Sequence, residues 1–241
     1  MKQNYFVTGT DTNVGKTQIT CLIAIQAKLS GLRVAAYKPV CSGAVISARE
    51  NGQPPTNQSI RWDDIERLRS AVGREWSDDL ICPQRFLAPL APPVAARLEG
   101  RVVDFETIMA GSTRFHTADL LLIEGAGGWL SPLTETRTVA DLAMELNYPV
   151  LIVGRTGLGT INHTLMTVEC VKSRGLTIAG IILNQATDDD LDLSSQTNAD
   201  EIETRSGIPV LGTVLHGSDA ELECHGQTVE INWLNLASGL T

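Results

Sequence analysis

The sequence predicts an α/β fold, a doubly wound, mostly parallel sheet with helices on both faces. Three observations carry that expectation. Short β-rich runs alternate with helical stretches along the whole chain, the pattern of strand–helix–strand units joined by right-handed crossovers. The β-rich runs are uniformly apolar rather than alternating, which suits strands covered by helices on both sides. A chain of 241 residues, 43% hydrophobic, also buries a substantial core, and its 21 Gly and 10 Pro exclude a fibrous or collagen-like chain.

In chain order, residues 5–8 read as the first strand and residues 16–30 as the first helix. Ile19, Leu22, Ile23, Ala27 and Leu29 recur there at helical spacing, and Gly31 stands just past the end as a stop. Residues 33–40 read as the second strand and 120–123 as the third, with further apolar runs at 150–153, 178–183 and 209–214. Candidate helices fall near 64–73, 104–114, 139–147, 161–174 and 195–206. Residues 47–59 are polar and rich in Pro, Asn and Gln, the composition of a mobile surface loop. Asp188, Asp189 and Asp190 read as a solvated turn rather than a metal site. With no internal repeat and no long linker, residues 1–241 are expected to form one domain.

The charge balance narrows the function classes. Nineteen basic against 28 acidic side chains give a formal charge of −9 and a pI near 4.9, which argues against non-specific binding to nucleic acid or an anionic membrane. No run approaches the roughly 18 apolar residues of a spanning helix, and the start does not read as a secretory signal. The five cysteines, at 21, 41, 82, 170 and 224, are scattered and never spaced CxxC, so neither a disulfide framework nor a zinc site is expected. A cytoplasmic protein is the expectation.

The sharpest chemical signal is the glycine-rich turn Gly9-Thr10-Asp11-Thr12-Asn13-Val14-Gly15-Lys16-Thr17, between the first strand and the first helix. Such a turn aims backbone N–H groups and a helix N-terminus at a polyphosphate. Lys16 would reach the β- and γ-phosphates and Thr17 would offer its hydroxyl to Mg²⁺. The first glycine lies one place early, with Thr10 where the usual pattern has Gly, yet strand and helix flank the turn as a nucleotide-binding loop requires.

Ligands of doubly wound sheets bind beyond the carboxyl ends of the strands. At the end of the second strand, Lys38 and Ser42 could together hold an anionic reacting group, although Lys38 alone reads more readily as a solvated surface lysine. Glu124, emerging from a buried apolar strand, is costly unless paired or metal-bound, and would lie beside Thr17. Gly125, Ala126 and Gly127 behind it let backbone approach phosphate or substrate. Asp63 and Asp64 begin a helix, where a carboxylate can serve as a cap or first-turn charge instead of a metal ligand. Asn184 follows a strand and could either read a base edge or shape a turn.

Together these residues resemble the dethiobiotin synthetases, ATP-dependent enzymes that close the ureido ring in biotin synthesis. The resemblance rests on YFVTGTDTNVGKT (5–17), YKPVCSG (37–43), LIEGAGGW (122–129), PVLIVGRTGLGTINHT (149–164) and AGIILN (179–184). It implies a fold of the P-loop NTPase type and a homodimer. It implies that Thr17, Asp64 and Glu124 hold Mg²⁺, with Asp64 preferred to Asp63 for its helical register. Asn13, Val14, Gly15, Lys16, Thr17 and Gln18 would bind the phosphates of ATP, with Gly125, Ala126 and Gly127 close by. Lys38 and Ser42, with Thr12 nearby, would contact the amine and carbamate end of 7,8-diaminopelargonic acid. The substrate carboxylate would lie at Gly159, Thr160, Ile161 and Asn162 of the partner subunit. Asn184, Leu215, His216 and Gly217 would surround adenine. Asn13 stands where the family commonly carries an acid, and Leu215 where a proline is usual.

The implied reaction takes CO₂ or bicarbonate onto a substrate amine as a carbamate. The carbamate attacks the γ-phosphorus of ATP, and the second amine closes the ring on the mixed anhydride. Catalytic duties would fall to Lys38, Lys16, Thr12 and Ser42, with no covalent protein intermediate. His163 is expected to make a structural hydrogen bond, and Trp129 to cover the site or pack at a dimer interface. The main alternative is a dimeric ATP-driven switch of the chromosome-partitioning type. Such switches usually carry a lysine near the start of the loop, where Thr10, Asp11 and Thr12 supply none, and residues 229–241 contain no Lys or Arg for DNA or membrane. An amidating ligase of the cobyrinate type would need a glutaminase domain for which the chain has no room.

Overall fold

The structure is a computed structural model that describes residues 2–46, 60–185, 195–217, 222–224, 227–234 and 236. The chain enters on β1 (Gln3–Gly9), crosses through α1 (Lys16–Leu29) and returns as β2 (Val34–Tyr37). Short elements follow: β3 (Val40–Ser42), β4 (Val45–Ile46), β5 (Ile60–Arg61), α2 (Asp63–Val72), α3 (Asp78–Ile81), β6 (Gln84–Phe86), α4 (Pro92–Leu98) and α5 (Phe105–Ser112). From β7 (Leu120–Gly128) the alternation is regular, through α6 (Val139–Leu146), β8 (Val150–Arg155), α7 (Thr160–Ser173), β9 (Ile178–Asn184), α8 (Ser195–Ser206) and β10 (Val210–Val214). β11 (Leu222–Cys224) and β12 (Gln227–Val229) complete the described strands.

Eight strands form one sheet in the order β12-β11-β10-β9-β8-β1-β7-β2. The six from β10 to β2 are mutually parallel, while β11 pairs antiparallel with β10 and β12 antiparallel with β11. Phe6 stands opposite both Ile123 of β7 and Val150 of β8, so β1 lies inside the sheet between them. Tyr5 through Val7, Leu120 through Ile123 and Val150 through Val153 are buried on both faces, the burial that their unbroken apolar character requires. Each such side chain contributes about 1.5–3 kcal/mol by leaving water. α6 opens with a capping box, Thr138 accepting from the Asp141 N–H while the Asp141 carboxylate accepts from the Thr138 N–H.

Several expectations need correction. Residues 33–40 are not one strand. β2 stops at Tyr37, because Pro39 has no N–H to give a ladder and biases Lys38 out of it. The Lys38 N–H instead donates to the Ile81 carbonyl at 2.8 Å, and β3 pairs with β6 in a separate small sheet. Leu29 is 83% exposed rather than in the core, and Leu32, three residues on, packs against the core instead. Trp129 neither covers the site nor offers an interface face: it is buried, edge-to-face against Phe6 at 6.4 Å. His163 is exposed on α7, and its imidazole makes no hydrogen bond among the described residues. α3, α4, β3 to β6, β11 and β12 were not foreseen from periodicity, being too short to express one. Residues 47–59 and 188–190 lie outside the described residues.

Candidate active site

The phosphate loop spans the gap between β1 and α1, and its backbone accounts for its composition. Thr10 is still tied to the sheet, its N–H donating to the Val153 carbonyl at 2.9 Å. The close approach therefore falls at Gly9, where a Cβ would sit 2.7 Å from Val14 Cγ2 and 3.0 Å from Lys16 Nζ. That is why the first glycine comes one place early. Asn13 takes a left-handed conformation at φ 58°, which Asn tolerates better than most residues. Gly15 caps α1 at φ 93°, with no side chain bonded to the helix start, so the first-turn N–H groups face the cleft. Lys16 is folded back, Nζ donating to the Asp11 carbonyl at 3.0 Å.

Three other strand or helix ends converge on Thr17. Its hydroxyl donates to Glu124 Oε1 at 2.7 Å. Lys38 Nζ lies 2.6 Å from Glu124 Oε1, 2.6 Å from Asp64 Oδ2 and 3.4 Å from Thr17 Oγ1. Lys38 and Glu124 are buried, whereas the Asp64 side chain is 40% exposed. Asp63 points the other way, to Arg61 at 3.3 Å, and the cap of α2 is Trp62, so both aspartates are first-turn residues.

Charge follows from this packing. Burial by itself lowers the Lys38 ammonium, but Glu124 and Asp64 outweigh it and hold the pKa above the usual lysine value. Burial alone would raise Asp64, and Lys38 overrides it to hold the carboxyl below its usual range. Lys16 lacks a direct carboxylate partner, and burial brings it down to about 8, with Glu124 opposing and Lys38 assisting. Glu124 Oε2 is buried with no hydrogen-bond partner among the described residues. A hydroxyl and two carboxylates around one point are hard oxygen donors of the kind Mg²⁺ takes, and the open oxygen of Glu124 fits that role.

A cleft of about 370 Å³ joins these groups. Thr12, Asn13, Gly15, Lys16, Thr17, Gln18, Lys38, Ser42, Asp64, Glu124, Ala126, Gly127 and Asn184 all line it. Ser42 is held there by its hydroxyl, which donates to the Leu90 carbonyl at 2.6 Å. Asn184 is fully buried beneath the loop, Nδ2 donating to the Val14 carbonyl at 3.1 Å, while Oδ1 has no partner among the described residues. The Val14 side chain lies in the core, so only its backbone is available to the site, and Gly125 packs against Val139. Leu215, His216 and Gly217 form an exposed turn after β10, where the His216 N–H donates to Gln185 Oε1 at 3.3 Å.

Gly159, Thr160, Ile161 and Asn162 start α7 outside this chain's cleft. They are tied to it indirectly: Thr160 Oγ1 donates to the Arg155 carbonyl at 2.6 Å, and Arg155 Nη2 donates to the Thr12 carbonyl at 3.2 Å. Three cleft residues escaped the sequence reading, Val40, Cys41 and Arg67. Arg67 was legible in principle, three residues after Asp64 on the same helix face. Cys41 offered no signal; burial lifts its thiol to about 11.

The sequence model of a family described as an AAA domain matches residues 3–220. A protein named ATP-dependent dethiobiotin synthetase BioD from Anaeromyxobacter sp. (strain Fw109-5) is 44% identical over 89% of this chain and 90% of its own. One of the same name from Anaeromyxobacter dehalogenans strain 2CP-1 is 46% identical over 82% of each chain. Among solved structures, a ParA family ATPase from Chlorobium tepidum TLS superposes with a TM-score of 0.50 over 91% of this chain and 87% of its own, at 14% identity. That last likeness concerns the fold alone.

Proposed function

The chain belongs to the ATP-dependent dethiobiotin synthetases, a family of ligases, and on that premise we propose that it converts 7,8-diaminopelargonic acid, CO₂ and ATP to dethiobiotin, ADP and phosphate. The observation that carries the reading is the gathering of Lys38, Asp64 and Glu124 against Thr17 at the mouth of the phosphate loop.

The chemistry asks the protein to position groups and offset charge. Lys16 and the N–H groups from Asn13 to Gln18 hold the phosphates. Thr17, Asp64 and Glu124 would hold Mg²⁺, which when bound neutralises charge on the phosphate oxygens. Lys38, at the end of β2, then faces the carbamate formed when an amine adds to CO₂. A carbamate oxygen attacks the γ-phosphorus and ADP leaves. The second amine attacks the carbamoyl carbon, phosphate leaves, and the ring closes. Ser42 would release the Leu90 carbonyl to donate to the carbamate, with Thr12 beside it. Asn184 would turn its open Oδ1 to adenine, next to Leu215, His216 and Gly217.

We further propose a homodimer in which the start of α7, Gly159 to Asn162, receives the substrate carboxylate bound to the partner. The whole chain would act as one cytoplasmic domain. Among the described residues no helix is long and apolar enough to cross a membrane.

The test is ADP release from MgATP with and without 7,8-diaminopelargonic acid plus bicarbonate. Release that requires both, with dethiobiotin formed in step, supports the reading. Release indifferent to both would move the function to an ATP-driven switch of the chromosome-partitioning type.

A further inference from the structure

We propose that Arg67 is a third cation of the nucleotide site, pairing its guanidinium with a phosphate oxygen of the bound nucleotide. The proposal rests on the ATP-binding reading above and extends it to a residue outside both the phosphate-loop motif and the Lys38 step. α2 sorts its side chains by direction. Ile65, Leu68, Ala71 and Val72 enter the core, and Asp63 turns to Arg61. Asp64 and Arg67, one turn apart, line the phosphate cleft. Helical side chains lean toward the helix N-terminus, so Arg67 reaches back along α2 toward Asp64. It is near enough that its charge helps hold the Asp64 carboxyl down, behind the larger effect of Lys38.

Of the arginines on and around α2, Arg67 and Arg74 form no ion pair among the described residues, and of these two Arg67 lines the cleft. Arg61 pairs with Asp63, Arg69 with Asp78, Arg85 with Asp79 and Arg101 with Glu99. Arg67 has no carboxylate at ion-pair distance among the described residues, and it is exposed at the rim of the cleft. Charge balance calls for such a group. Lys16 and Lys38 offset Asp64 and Glu124, and Lys38 is already bound to both carboxylates. Even with Mg²⁺ on the phosphates the complex keeps a net negative charge, which in this balance only the N-terminus of α1 offsets unless another cation joins. The two lysines are buried on the floor of the cleft; a rim arginine meets the outer phosphate oxygens they cannot reach. A guanidinium suits that place because it can bond two phosphate oxygens at once.

The experiment is calorimetric binding of MgADP and the Mg²⁺ complex of β,γ-imido-ATP to the full chain, without the other substrates. Wild type, Arg67→Ala, Arg67→Lys and Arg69→Ala are compared, each first matched to wild type in thermal melting. Arg67→Ala should weaken binding about ten- to a hundredfold. Arg67→Lys should recover part of the loss, and Arg69→Ala should bind as wild type. Loss confined to the triphosphate analogue puts the contact on the terminal phosphate, and equal loss on the inner ones. Undiminished binding by Arg67→Ala, or equal loss in Arg69→Ala, overturns the proposal while leaving the ATP reading intact. A wild type that binds neither nucleotide overturns both.

Discussion

Lys38 sits between two carboxylates and serves as their counter-ion. Removing one partner of a buried pair leaves an uncompensated charge, at a cost of about 3–5 kcal/mol. Because Asp64 is partly exposed, Glu124 carries most of that cost, and Lys38→Met should lose about 3 kcal/mol. Added Mg²⁺ should restore part of it, and more than it stabilises wild type, where Lys38 competes for the same oxygens. Urea unfolding with and without Mg²⁺ checks this, and equal Mg²⁺ responses would contradict it. Lys16 behaves oppositely. Its folded pKa of about 8 lies below the ordinary lysine value of 10.5, so the unfolded chain binds the extra proton between those values. Its burial therefore costs stability below pH 8, and that cost is relieved as pH rises to 10.5. Polyphosphate would keep the ammonium charged, so nucleotide binding above pH 8 should take up a proton and weaken with rising pH. Calorimetry at alkaline pH in buffers of different ionisation enthalpy reads that uptake directly, and none would exclude Lys16 as its source.

The phosphate loop and β9 form a single mechanical unit. A Cβ on Gly15 would stand 2.0 Å from Asn184 Nδ2, at a φ of 93° that side chains resist. Gly15→Ala should cost about 1–3 kcal/mol and weaken nucleotide binding. Adding Asn184→Ala should return some stability by making room, but not all, since the backbone strain persists. Melting curves of the single and double variants decide it; a Gly15→Ala protein melting like wild type would refute the crowding. Elements of this unit were legible because each is long or sharply punctuated. β1, α1, β7, β8 and β9 carry unbroken apolar runs or helical spacing. The region from β3 to α4 was not, because strands of two or three residues show no period. There Pro39 ends a strand that composition alone would continue, and Pro92 with Pro93 opens a seven-residue helix rather than marking a loop.

Across the whole molecule, the chain's last described segment ties the sheet to its first helix. The Tyr5 hydroxyl donates to the Trp233 carbonyl at 2.9 Å, and Trp233 Nε1 donates to Gln26 Oε1 at 3.1 Å. Trp233 is buried near the far end of α1 from the phosphate loop. Trp233→Ala should therefore cost about 3–5 kcal/mol with nucleotide affinity unchanged, a split that unfolding and binding measured together would expose. A change in affinity would mean that the tail communicates with the site.

Most of what could be read from the chain before its fold is local: the apolar runs that become parallel strands, the glycine-rich turn, and the helix that follows it. These depend on periodicity and backbone freedom within a few residues. The meeting of Glu124 with Thr17 was expected; packing added that Lys38 binds both carboxylates. Lys38 reaches Asp64 across 26 positions and Glu124 across 86. Packing also sends Trp129 inside and leaves Arg67 facing the cleft with no acid at ion-pair distance among the described residues. Strand order, the break at Pro39 and the roll of α2 set those encounters, and each follows from packing the sheet against its helices rather than from any stretch read alone.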